Sequence, residues 1–389
     1  MNSIRKFAIF TIALSSIVCS SGRLGAADSK NATSNKPAAK DDLFSEIRVL
    51  RLKIEIPTAS LDALKKNPKQ YVKATIREGE KVYADAGIRV KGSSSFVSQE
   101  KKPSLAVKFN EFTSGRHFHG HSKILLDNGH QDPTFLCDAL AGELFRSAGV
   151  PAAKVTFAQV ELNGQDAGLY VVEQAANHEF LAEFFQKTKG NLYEGAHQDV
   201  TDKLEKDAGE AAAEQADLKK LAQAAQEPDP AQRLKKLSAI LDLDRFVSFT
   251  ALEVMTWHHG GYGMGQNNFR IYHDPGKDRL VFIPHSLDHL FSKADGPLMP
   301  EWKGLVAKAL ISVPEGARLY RERVAALSAT TFKVETIQAR INDLAAKIRP
   351  TFASDTARAK TYDAAVEALR NRVAQRVHFL EEELKKTAK

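Results

Sequence analysis

Apolar and polar positions alternate through the first half of the chain, and helical spacing takes over in much of the second. IRVLRLKIEI (47–56), YVKATIRE (71–78), AGIRVKG (86–92) and PSLAVKFN (103–110) set apolar side chains at alternate positions, which predicts strands. A short helix over Ser60–Lys65 separates the first two. SKILLDNG (122–129) reads as a further strand. PTFLCDALAGELFRSAG (133–149) has helical spacing, opened by Pro133 and stopped by Gly149. AKVTFAQVELNGQDAGLYVVEQ (153–174) predicts a hairpin turning at Asn163-Gly164, a pair that accepts positive φ. The first half is therefore expected to be a mostly antiparallel sheet with one inserted helix.

Beyond residue 200 the pattern changes. Residues 203–237 mix alanine with both signs of charge, which predicts solvated helix broken at Pro228 and Pro230, a surface insertion or lid. LDLDRFVSFTALEVMTWH (241–258) reads as a buried helix. NFRIYHD (268–274) and RLVFIPHS (279–286) make a second hairpin around Pro275-Gly276. The tail from Thr330 is helical and ends in an amphipathic closing helix, DAAVEALRNRVAQRVHFLEEELKK (363–386).

The first residues alter the expected compartment. Arg5 and Lys6 precede an apolar run over 7–18, and Gly25 and Ala27 suit a cleavage site, so residues 1–27 read as a secretory signal peptide. Residues 28–44 read as a flexible leader, followed by a sheet-rich part (45–200), the charged helical insertion (201–238) and a helical part (239–389). No later stretch reaches ~18 uninterrupted apolar residues, so no transmembrane segment is expected after signal removal. The formal charge of +7 falls to +4 once Arg5, Lys6 and Arg23 leave. That balance is mild and spread over both signs, which argues against a nucleic-acid partner. Only Cys137 remains, so no internal disulfide is expected and the core must supply the stability.

Candidate chemistry concentrates in HHGGYGMGQNNFRIYHDP (258–275) and FIPHSLDHLF (282–291). Phosphoryl transfer needs a lysine for nucleotide phosphates, oxygen ligands for Mg²⁺ and a group that orients the acceptor hydroxyl. Lys108 on a strand, Glu173 at a strand end, Asn267 and Asn268 after the histidines, and Asp288 after the second hairpin stand in that order. Lys91 precedes a Gly-Ser-Ser-Ser loop whose amides can cradle phosphate. A rival set, His117, His119 and His121, alternates as a zinc triad would on a strand, but the glycines around it make a loop.

These pieces carry a resemblance. IRVKGSSSF (88–96), KPSLAVKFNEF (102–112), LLDNGHQDPTFL (125–136), the 148–174 hairpin, GNLYEG (190–195), NNFRIYHDP (267–275) and FIPHSLDHLF (282–291) resemble the CotH family of atypical secreted protein kinases. The resemblance implies a two-lobed α+β, kinase-like fold with a sheet-rich N-terminal half and a helical C-terminal half. It also implies ATP and Mg²⁺ as cofactors and Ser or Thr of secreted or envelope proteins as acceptors, outside the cytoplasm.

One departure matters. Similar members read His-Trp-Asp-Gly-Tyr where this chain reads His258-His259-Gly260-Gly261-Tyr262, so Gly260 stands at the family's catalytic Asp. Asp288 is kept as the metal ligand. The expected site is then His259 and Asn267 for catalysis, Lys91, Lys108 and Glu173 for the nucleotide, and Asp288 with Asn268 for Mg²⁺. Two readings follow: a kinase impaired by the missing base, or a non-catalytic binding or structural protein of the cell envelope that keeps the fold.

Overall fold

The computed structural model describes residues 42–92, 102–209 and 215–387. The expected signal peptide, the leader up to residue 41 and the serines at 93–95 lie outside the described residues.

Strands β1 (Val49–Glu55), β2 (Val72–Glu78), β3 (Lys81–Val90), β4 (Leu105–Lys108), β5 (Lys123–Asp127), β6 (Val155–Leu162) and β7 (Gln165–Gln174) close a barrel in the order β1-β2-β3-β4-β5-β7-β6. Neighbours are antiparallel except at the seam, where β1 runs parallel to β6 with Leu52 opposite Val160. The predicted strands are all present. The seam joins segments distant in the chain, so local alternation carries no sign of closure. Helix α1 (Thr58–Lys66) links β1 to β2, α2 (Cys137–Ser147) lies between β5 and β6, and α3 (His178–Phe184) follows β7.

Side-chain alternation sorts two cores. Leu50, Leu52 and Ile54 of β1 fill the barrel with Ile76, Ile88, Val107 and Leu126. On β6 and β7 both faces are buried. Ala158, Val160, Tyr170 and Val172 face the barrel, whereas Val155, Phe157, Leu169 and Val171 join a second core with Leu140 and Phe145 of α2. Glu173 continues that second face, which aims its carboxylate out of the barrel.

Strands β8 (Leu192–Gly195), β9 (Glu205–Ala208), β10 (Phe269–Asp274) and β11 (Arg279–Pro284) form a separate sheet in the order β11-β10-β8-β9. The boundary expected at residue 200 falls within this sheet, because β8 pairs with β10, Tyr193 opposite Ile271. The 201–238 segment is also more than a solvated insertion. Its helix α4 (Ala216–Ala225) buries Leu218, Leu221 and Ala222 in the second core. Helix α5 (Pro230–Ile240) begins on Pro230, one of the two expected breaks, with Gln232 N donating to Asp229 Oδ1 at 2.7 Å.

Helices α6 (Leu243–Met255), α7 (Tyr262–Gly265), α8 (Leu305–Ile311), α9 (Pro314–Thr330), α10 (Val334–Ile348) and α11 (Thr356–Thr387) complete the chain. α11 is the expected closing helix and buries Val366, Leu369, Val373, Val377 and Leu380 at helical spacing. No described helix is long and apolar enough to cross a membrane.

Candidate active site

Lys91 follows the last residue of β3, held in register by its amide, which donates to Ser104 O at 2.9 Å. Its ammonium donates to Glu173 Oε1 at 2.6 Å and to Asp127 Oδ2 at 3.0 Å. The two acids sit on paired strands, Asp127 at the end of β5 and Glu173 near the end of β7. Asp127 Oδ1 also accepts from Gly129 N at 2.9 Å. In the first turn of α2, Asp138 Oδ1 accepts from Leu287 N at 2.9 Å, which ties the barrel side to the segment carrying Asp288.

One ammonium thus serves four neighbouring carboxyl groups. Burial works against the Lys91 charge, but Glu173 and Asp127 outweigh it and raise its pKa. Partial burial works against the Asp127 charge as well, but Lys91 and the Gly129 amide bring its pKa below the usual value. Burial, then the charges of Glu173, Asp288 and Asp127, push Asp138 well up. Burial likewise raises Glu173 against the pull of Lys91. Asp288 rises to about 6 through burial and then Asp127, opposed by Lys91. Excess buried negative charge made of hard oxygen donors is an environment that suits a divalent cation. Among the described residues no three His, Cys, Asp or Glu side chains are arranged to hold a metal unaided.

The loop carrying the histidines lies beside the Asp288 segment. His285 N donates to Asn268 O at 3.0 Å, and Phe291 N donates to Thr256 O at 2.8 Å. His258 is buried with Nε2 3.2 Å from Ser286 O, and burial takes its pKa down to about 4. His259 is exposed, its ring edge-on to His289 at 5.0 Å, and partial burial followed by His289 lowers its pKa. A Cβ on Gly260 would lie 3.2 Å from Asn268 Nδ2, so the vacant position faces that amide. Asn267 Oδ1 accepts from His197 N at 3.1 Å.

Of the expected residues, Lys91 and Glu173 are in direct contact, and Asp288 shares their electrostatic cluster. Lys108 is not brought there. On β4 Val107 points into the barrel, so Lys108 points out, where Glu111 Oε2 takes its ammonium at 2.6 Å and Tyr71 lies beneath it. The zinc alternative dissolves as well, because His117, His119 and His121 each approach a different acid: Glu179, Glu78 and Asp42. Arg270 is held by Glu194 at 3.0 Å and Asp207 at 3.3 Å.

Sequence reasoning passed over three acids. Asp127, in LLDNG, reads as a turn residue, and it does bond Gly129, but it also grips Lys91. Asp138 carried a usable signal, a single acid within the otherwise apolar and small run LCDALAG that opens α2. Glu253, near the end of α6, takes Tyr262 N at 2.6 Å and Gly263 N at 2.9 Å, and burial lifts its pKa to about 8 against those amides.

A family model described as CotH kinase protein matches residues 88–385. The chain belongs to the CotH kinase family. Membership makes it a kinase-like protein and implies ATP-dependent phosphotransfer, typically with Mg²⁺. Among solved structures, the crystal structure of a Helicobacter pylori proinflammatory kinase CtkA is similar, at 9% identity and a TM-score of 0.31. That similarity covers 74% of this chain and 95% of that one. No curated protein matches. For this CotH-family chain the matched span contains Lys91, Asp127, Asp138, Glu173 and Asp288 together.

Proposed function

We propose that the chain is an exported ATP- and Mg²⁺-dependent protein kinase acting on Ser or Thr hydroxyls of secreted or envelope proteins. The barrel forms one lobe of a kinase-like pair and the helical part the other. The observation that carries this reading is the Lys91–Glu173–Asp127 cluster beside Asp288. An ammonium has three donors, and two are spent on Glu173 and Asp127, which leaves one for a phosphate oxygen. Glu173 and Asp127 thereby orient Lys91. Asp288, with Asn268, would hold Mg²⁺, which supplies charge neutralisation at the phosphates when bound. His259, exposed and with a lowered pKa, would take the proton of the acceptor hydroxyl where Gly260 offers no carboxylate.

The test is transfer of labelled phosphate from ATP to a generic protein acceptor, with Asp288→Ala as the control. Transfer by wild type that vanishes in Asp288→Ala supports the reading, and equal inertness of both ends it. Gly260 favours a second reading, a nucleotide-binding protein of the envelope that does not catalyse. Stabilisation by Mg-ATP without turnover separates that case.

A further inference from the structure

The glycines of HHGGYGMG resemble a phosphate-cradling loop, yet the amides of Tyr262 and Gly263 are already taken. Both donate to the carboxylate of Glu253, which is 1% exposed and has no cationic side chain bonded to it among the described residues. Packing accounts for the glycines. A Cβ on Gly261 would strike Glu253 Oε1, and one on Gly263 would sit 2.9 Å from Glu253 Oε2. Backbone bonds continue the pattern: His258 N donates to Glu253 O at 2.7 Å, Gly261 N to His258 O at 2.8 Å, and Gly265 N to Gly261 O at 2.8 Å. At Gly265 a Cβ would press Gly260 Cα at 3.0 Å, so the loop folds back on the position where the base is missing.

We propose that Glu253 is a positioning residue: its buried carboxylate fixes the backbone of residues 258–265 and so sets His259 and Gly260 against Asn268 and the Asp288 segment. The inference rests on the phosphotransfer reading of the site for its kinetic consequence, though not for its structural one. Glu253 touches neither nucleotide nor acceptor. A carboxyl side chain is suited to this role because it sets a separate oxygen against each of two consecutive amides, where an amide or a hydroxyl side chain has a single oxygen to offer. Misplacement of a reacting group by about 1 Å commonly costs about a hundredfold in rate.

The experiment uses the full chain with Glu253→Gln, which keeps the shape but turns one acceptor into a donor facing an amide. Gly261→Ala is the second variant and disturbs the same contact from the loop side. Two readouts are taken on each: kcat and KM for ATP in labelled phosphate transfer, and the histidine ring resonances of selectively labelled protein. The expected result is a kcat lower by about tenfold or more with KM for ATP nearly unchanged, together with displaced His259 and His289 resonances. An active wild type with unchanged kcat in both variants overturns the proposal, as do histidine resonances that stay in place. If Glu253→Gln does not fold, Gly261→Ala decides by the same two readouts. A wild type without transfer overturns the phosphotransfer reading instead, and the histidine resonances then decide the role of Glu253 alone.

Discussion

Lys91 Nζ lies 2.6 Å from Glu173 Oε1, a contact between the end of β3 and a strand face that looks out of the barrel. Lys108, one strand further along the chain, is engaged by Glu111 instead. The two lysines therefore predict opposite outcomes. Lys91→Met leaves the buried Glu173 and the half-buried Asp127 without their counter-charge and should cost about 3 kcal/mol or more of stability. It should also abolish any Mg-ATP-induced rise in Tm. Lys108→Met removes a pair whose lysine side chain is 39% exposed and should change stability by less than about 1 kcal/mol. Urea unfolding and thermal shift on both variants check this, and a Lys108→Met effect as large as that of Lys91→Met would refute the assignment.

Gly260→Asp should restore a carboxylate beside Asn268. The backbone at Gly260 is not in the positive-φ region, so an L side chain meets no backbone penalty there, and among the described residues its Cβ would come near only Asn268 Nδ2, at 3.2 Å. The expected gain is about tenfold or more in kcat, lost again on adding Asp288→Ala. His259→Ala in the wild-type background should remove the residual rate. Steady-state kinetics on the three variants measures both effects.

Asp288 links nucleotide binding to pH. Its folded pKa of about 6 lies above the ordinary 3.8, so the folded chain holds this proton more tightly than the unfolded one. Without ligand, stability should therefore fall as pH rises from about 4 through 6. Mg-ATP binding needs the ionised carboxylate, so its thermal shift should grow over the same rise. Asp288→Asn should lack this component of both trends. Thermal melts from about pH 4 to about pH 7, with and without Mg-ATP, check the sign.

His273 predicts a separate pH effect away from the site. It bonds Asp217 of α4 at 3.1 Å and Asp278 at the β10–β11 turn at 2.9 Å, and its pKa is raised, chiefly by Asp217. The imidazolium contribution is complete below the ordinary value of 6.5 and lost as pH rises through the higher folded value. Wild-type Tm should decline across that interval, and His273→Gln should remove this part of the decline. A decline of the same size in the variant would assign it elsewhere.

Arg376 tests how far the closing helix supports the site. The side chain is fully buried on α11, and its guanidinium donates to Val254 O at 2.6 Å, Met255 O and Ala294 O at 3.1 Å, and Gly296 O. It thus clips the end of α6 to the segment after Asp288 while lying over Trp257. Arg376→Met leaves several buried carbonyls without a donor and should cost about 3 kcal/mol or more. Arg376→Lys should rescue little, because one ammonium cannot match a planar fork spread over two segments. Urea unfolding of both variants gives the comparison.

Local patterning was enough to place the strands of the barrel, the Asn163-Gly164 turn, the second hairpin and the closing helix. Each depends on a period of two or of 3.6 residues, or on turn chemistry, all written within a few neighbouring positions. The family motifs likewise marked Glu173, Asp288 and the glycine at 260, since each is a residue type at a fixed offset. Partner choice is not local, and tertiary structure alone decided it. Lys91 and Lys108 have similar strand surroundings in sequence, and both point out of the barrel, but only the folded sheet sets one beside Glu173 and the other beside Glu111. Asp127 reads as a turn residue and Asp138 as one position within a helix, and only folding set both near Lys91. The same holds for the glycines at 261 and 263. Their reason lies in the carboxylate of Glu253 behind them, because the Cβ a larger residue would carry has no room beside it.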